Sequence, residues 1–69
     1  MQNNEQPTIY QVHIMGHLDQ RLLRGYDDLL VSQSSDGQTT ITGAMDQAAL
    51  HGILNRIRDL GLVLISVQQ

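Results

Sequence analysis

The chain has no cysteine, no lysine, no tryptophan and no phenylalanine, and a single proline. Each absence closes a door. Without cysteine there is no disulfide framework and no thiolate metal site, and the lack fits a reducing compartment. Without lysine the positive charge rests on Arg21, Arg24, Arg56 and Arg58, interleaved with seven acidic residues for a net charge of −3. A nucleic-acid binder shows a basic stripe, so no nucleic-acid partner is expected. Tyr10 and Tyr26 are the two aromatic residues, which leaves no stacking platform for bases and requires an aliphatic core. The longest apolar run, Leu62 to Ile65, is far too short for a bilayer, so no membrane partner is expected. The polar N-terminus has no basic region followed by an apolar stretch, unlike a signal peptide. The expected location is cytoplasmic.

What is present suits one small domain. Sixty-nine residues bury a modest core, and chains of this size lean on disulfides, metals or partners. With the first excluded, a well-packed core and oligomerisation remain. Residues 1–7 read as a disordered polar tail and 8–69 as a single α+β domain.

Thr8 to Met15 alternates, with Tyr10, Val12 and Ile14 on one face and Gln11 and His13 on the other, the period of a half-buried strand ended by Gly16. From His17 to Asp28, Leu18, Leu22, Leu23 and Tyr26 recur at spacings of three and four, which predicts a short helix. Asp19 stands where it caps that helix or enters its first turn. Leu29 to Gln33 and Gln38 to Thr42 flank a Ser-Ser-Asp-Gly turn and read as a hairpin. A two-residue Asp-Gly loop would set Val31 against Thr42. A three-residue loop, Ser35-Asp36-Gly37, sets Val31 against Ile41, and Gly37 suits its left-handed third position. Register follows the buried face, so the three-residue loop is expected.

The strongest local signal is Asp46 to Leu60. Asp46 is a good N-cap. Met45 and Leu50 suit a hydrophobic staple. Leu50, Ile53, Leu54, Ile57 and Leu60 make one apolar stripe, and Gly61 follows where a left-handed residue is wanted. Arg56 and Arg58 lie near the negative end of the helix dipole. Gly52 inside the helix suggests a close backbone approach, for instance by the first helix. Leu62 to Val67 then reads as a strand apolar on both faces, Leu62 and Leu64 on one, Val63, Ile65 and Val67 on the other.

The order is β-α-β-β-α-β. Right-handed crossovers place the first and third strands centrally. The expected fold is a small ferredoxin-like sandwich, a four-stranded antiparallel sheet with two helices on one face. The alternative, should the first helix be only a turn, is β-β-β-α-β. In either, the last strand has an apolar row that the monomer cannot cover. Each exposed aliphatic side chain forfeits roughly 1.5–3 kcal/mol of burial, and an apolar edge is sticky. Leu62, Val63, Leu64, Ile65 and Val67 are therefore the expected interface of a homodimer.

The chemistry-bearing side chains are sparse. Gly16, His17, Asp19 and His51 are candidates for a ligand or surface site. A metal would need three or four converging ligands, and His13, His17, His51 and Asp19 have no spacing that enforces convergence, so no metal is assigned. His51 is of the residue type most used as a general base, but no nucleophile or oxyanion donor accompanies it. Gly16, Gly43 and Gly52 form no phosphate loop. No catalytic residue and no cofactor are assigned. The expected function is a self-associating protein-interaction or regulatory module, with an unidentified protein partner and no enzymatic activity.

The run Asp46-Gln47-Ala48-Ala49-Leu50-His51-Gly52-Ile53-Leu54, then Ile57-Arg58-Asp59-Leu60-Gly61-Leu62 and Leu64-Ile65-Ser66-Val67, resembles a group of short, uncharacterised stand-alone bacterial proteins. The likeness extends back through Gly43, Asp36-Gly37, His17-Leu18-Asp19 and Tyr10. Those proteins often have tryptophan at the positions of Leu22 and Gly25, and phenylalanine at that of Tyr26. The resemblance implies a bacterial source and a self-contained fold, and carries no activity or site residues. The helix–glycine–strand run also looks like the end of an ACT-type regulatory domain. That analogy implies, as the alternative function, amino-acid or nucleotide sensing near Gly16-His17-Leu18-Asp19.

Overall fold

The computed structural model describes residues 8–26 and 28–69. The tail expected over 1–7, and Asp27, lie outside the described residues. The elements are β1 (Thr8–Met15), β2 (Leu30–Gln33), β3 (Gln38–Met45), α1 (Gln47–Asp59) and β4 (Val63–Gln68), with a 3-10 turn at Gln20–Leu23. The strands form one antiparallel sheet in the order β2-β3-β1-β4. The protein is thus α+β with a four-stranded open sheet. Among the described residues no helix is long and apolar enough to cross a membrane.

The period-two pattern of β1 sets the sheet's inner face. Val12 sits opposite Ile41, and Ile14 opposite Thr39, and all four are fully buried. Buried Thr39 is tolerated because its hydroxyl donates to the Gly16 carbonyl at 2.6 Å. Tyr10 is buried, and its hydroxyl accepts from the Gln47 side chain at 2.8 Å.

Helix α1 begins and ends as the sequence requires. The Asp46 carboxylate accepts from Ala49 N–H at 2.8 Å, and Met45 and Leu50 are both buried, as a staple requires. At the other end Gly61 takes φ +75°. Its N–H donates to the Arg58 carbonyl and that of Leu62 to the Ile57 carbonyl, the two bonds of a Schellman ending. Leu50, Ile53 and Ile57 are the buried residues of the helix, and they press on the inner face of the sheet.

The hairpin has the three-residue loop. Val31 pairs with Ile41, Ser34 N–H donates to the Gln38 carbonyl at 2.9 Å, and Gly37 lies at φ +86°.

The helix expected over His17 to Asp28 does not form among the described residues of that segment. In its place stands the single 3-10 turn, Gln20–Leu23, capped by Asp19. The chain leaves helical geometry at Arg24 (ψ 137°), and Gly25 is left-handed at φ +98°. A helix this short gains little from propensity alone, and tertiary contacts favour the turn. Leu18, Leu23 and Leu29 enter the core while Leu22 faces out, so the apparent stripe is not one face. The carbonyls of Leu22 and Arg24 accept from the Arg56 guanidinium, which also lies 5.0 Å from the Tyr26 ring centroid. Gly52 does admit a close neighbour, but that neighbour is the Tyr26 side chain: a Cβ on Gly52 would overlap its hydroxyl.

The two rows expected on the last strand are also redistributed. β4 pairs Val67 with Val12 and Ser66 with His13, then Leu64 with Ile14 and Val63 with Met15. Ile65 is passed over, a β-bulge. The bulge breaks the alternation, so Leu64 and Val67 share the helix-side face while Val63 and Ser66 share the bare one.

Candidate interaction surface

β4 is an edge strand, beside β1 and with no neighbour on its other side among the described residues. Four of its apolar side chains are open to solvent: Val63 at 63 %, Leu64 and Ile65 at 45 % and Val67 at 37 %. Leu64 and Val67 stand on the helix-side face but remain exposed at its margin. Leu62, the other expected interface residue, differs. It is partly buried against the core as the residue that closes the helix ending.

The bare face has an ordered composition. Ser32, Thr40, His13 and Ser66 lie in one line across all four strands. The His13 imidazole is part-buried, with Nδ1 3.5 Å from the Thr40 hydroxyl and Nε2 buried without a hydrogen-bond partner among the described residues. Exposed aliphatic side chains flank this row, Ile9 and Leu30 toward one end, Met15 and Val63 toward the other. No strand contains an aspartate, glutamate, lysine or arginine. Every charged side chain of the described residues belongs to the β1–β2 connection, the hairpin turn or the helix and its cap.

The remaining candidates do not assemble. Gly16 (φ +111°) turns the chain out of β1, and its N–H donates to the Gly37 carbonyl at 2.8 Å. His17 is exposed, with Nε2 3.5 Å from the Gln33 side chain. His51 is exposed on α1, and no hydrogen bond joins it to Gly16, His17 or Asp19 among the described residues. No three His, Asp or Glu side chains there gather as metal ligands. Two surface depressions, of about 260 Å³ beside Leu22 and Leu60 and about 500 Å³ beside Asp19 and Arg24, open broadly to solvent.

Asp19 is committed to a local role. Its carboxylate accepts from Arg21 N–H at 2.9 Å and pairs with the Arg21 guanidinium at 3.0 Å. The side-chain bond, then the backbone bond, hold this carboxyl below its ordinary value of 3.8. A lowered folded value means the stabilising contribution is complete above the unfolded value and is lost as pH falls through the folded one. The Gln20–Leu23 turn is therefore expected to loosen only in acid below 3.8. An NMR titration should place the Asp19 carboxyl midpoint below that value, and a midpoint at or above it would refute the cap.

Sequence reading missed two features. By its position Arg56 reads as a dipole-end charge, whereas its guanidinium clamps the Gln20–Leu23 turn. The line of hydroxyls beside His13 needs strand register, which spacing alone does not supply.

The family described as Domain of unknown function (DUF8691) matches residues 9–68. The chain belongs to this family. The matched span runs from the second residue of β1 through the last of β4, so the sheet, the helix and the exposed β4 strand all fall within the family's domain. No curated protein and no solved structure matches the chain.

Proposed function

We propose that the protein is a small self-associating module, acting through protein contacts rather than catalysis and built as a ferredoxin-like sandwich whose first helix is shortened to a turn. The observation that carries the reading is β4, an edge strand with Val63, Leu64, Ile65 and Val67 exposed. Edge strands in water are ordinarily guarded by charge, proline or cover, and β4 has neither a charge nor a proline. Burying each such side chain is favourable by roughly 1.5–3 kcal/mol. A twofold pair needs no second species, because the same patch serves both copies. The sandwich reading draws support from the central placement of β1 and β3 and from the direct passage of α1 into β4.

Sedimentation equilibrium tests it. Between about 10 µM and about 1 mM, a range spanning weak to moderate affinity, the mass should rise from 7.7 kDa toward twice that. The Val63→Lys, Ile65→Lys double variant should shift the curve to higher concentration. A monomer throughout the range would end the proposal.

A further inference from the structure

We infer that the second copy docks on the bare face of the sheet, face to face, rather than along the β4 edge. The inference rests on the self-association proposed above and names its surface and occupant. Three observations carry it.

The first is charge. Charged side chains lie mostly on the solvated surface of monomers, and the cores of protein interfaces are depleted of them. Here all four strands lack charged residues, although the connection, the turn and the helix have them in plenty. A partner with a basic or acidic surface finds nothing on this face to complement it. A second copy presents the same neutral surface and keeps both sets of charges on the outside of the pair.

The second is area. The four strands, of eight, four, eight and six residues, about 4.8 Å apart and advancing about 3.4 Å per residue, make a face of roughly 420 Å². Two such faces bury about 850 Å² in total, in the range of weak, transient contacts. The face suffices for a weak dimer and uses all four strands. An edge contact would engage only β4.

The third is pattern. The polar row Ser32-Thr40-His13-Ser66 runs between rows that mix aliphatic and uncharged polar side chains, Leu30 with Thr42, Gln11 and Gln68 on one side, Met15 and Val63 with Gln38 on the other. Twofold stacking of two such faces lays row upon row, with His13 against His13 or Thr40 of the second copy. The hydroxyls then meet hydroxyls, and the aliphatic side chains of the flanking rows meet one another, as in the packing of two sheets of a sandwich.

The test uses exposed positions that separate face from edge. Gln11 and Ser32 are exposed on the bare face, and Ser32 lies on β2, at the opposite edge from β4. Gln11→Arg and Ser32→Arg should each raise the dissociation constant about tenfold or more, because each copy brings a like charge into the contact. Asn55→Lys, exposed on α1 and away from the bare face, should leave it within about twofold. Circular dichroism confirms that each variant is folded. An independent readout needs no variant: in the unmodified protein the His13 imidazole signals should move on dilution while those of His51 stay fixed. If the Val63→Lys, Ile65→Lys double variant abolishes association and the two arginine variants do not, the face is wrong and self-association stands. A protein monomeric throughout overturns both. A broad distribution of large species in place of a dimer overturns the face as well, since it marks unguarded edges rather than one closed contact.

Discussion

Replacing Ile53 by alanine is expected to lower the free energy of unfolding by about 3–4 kcal/mol. Ile53 is fully buried at the middle of the α1 stripe, between Leu50 and Ile57. The deletion removes three carbon atoms' worth of burial and leaves a cavity that neighbours close only in part. The loss is severe in proportion, because a domain of this size has a total stability of roughly 3–10 kcal/mol. α1 is also the one α-helix among the described residues, so no second helix shares the task of covering the sheet. The melting temperature should fall by roughly 20 °C, followed by circular dichroism at one fixed protein concentration, since association contributes to apparent stability. Ile53→Val, which preserves the branch, should cost about 1 kcal/mol. A loss below about 1 kcal/mol for the alanine variant would show that the stripe does not hold the helix to the sheet.

Gly43→Ala should be destabilising by about 2–3 kcal/mol, against the usual sign. A glycine inside a strand ordinarily costs stability, and alanine there recovers about 0.5–1 kcal/mol. At Gly43 the added Cβ would stand 2.8 Å from the Asp28 carbonyl oxygen, 2.6 Å from Leu29 Cδ2 and 3.3 Å from Leu29 Cα. Two of these are backbone atoms that a rotamer change cannot move. Asp28 itself is held at φ +62°, a conformation with few neighbouring alternatives for a non-glycine residue, and Leu29 is buried. To admit the methyl group, the connection must lift from β3. Urea denaturation measures the change, and a variant as stable as the unaltered protein would mean that this connection yields freely.

The parts of the fold legible in the sequence are those written in local chemistry. Asp46, Met45, Leu50 and Gly61 each state one end of α1 without reference to the rest of the chain. The hairpin was legible because just one loop length sets Val31 against Ile41. The His17–Asp28 segment was misread for the opposite reason. Its leucines have helical spacing, but Leu22 turns outward, and the carbonyls that a helix would satisfy are instead taken by Arg56, more than thirty residues away in sequence. Nothing local encodes that clamp. The bulge at Ile65 is similar. An apolar run such as Val63-Leu64-Ile65 has no alternation to betray its faces, and the skipped residue is fixed by pairing with β1. The candidate surface was legible to the same extent: the exposed β4 row follows from composition, whereas the Ser32-Thr40-His13-Ser66 line exists only once four strands are in register.

The pairing of β1 with β4 also sets a timetable for folding. Val12 meets Val67, so the two ends of the chain must find each other before the sheet is complete. The β2–β3 hairpin and the capped helix can form early from nearby residues, but β1 closes onto partners far along the sequence, and such non-local closure slows folding. During synthesis β1 emerges first and waits for β3 and then for β4. Through that interval its uncharged edge is free to pair with any strand in reach, including the β4 of another nascent copy. The same neutral strands that suit a closed pair of finished molecules leave the unfinished chain open to exchanging its last strand with a neighbour.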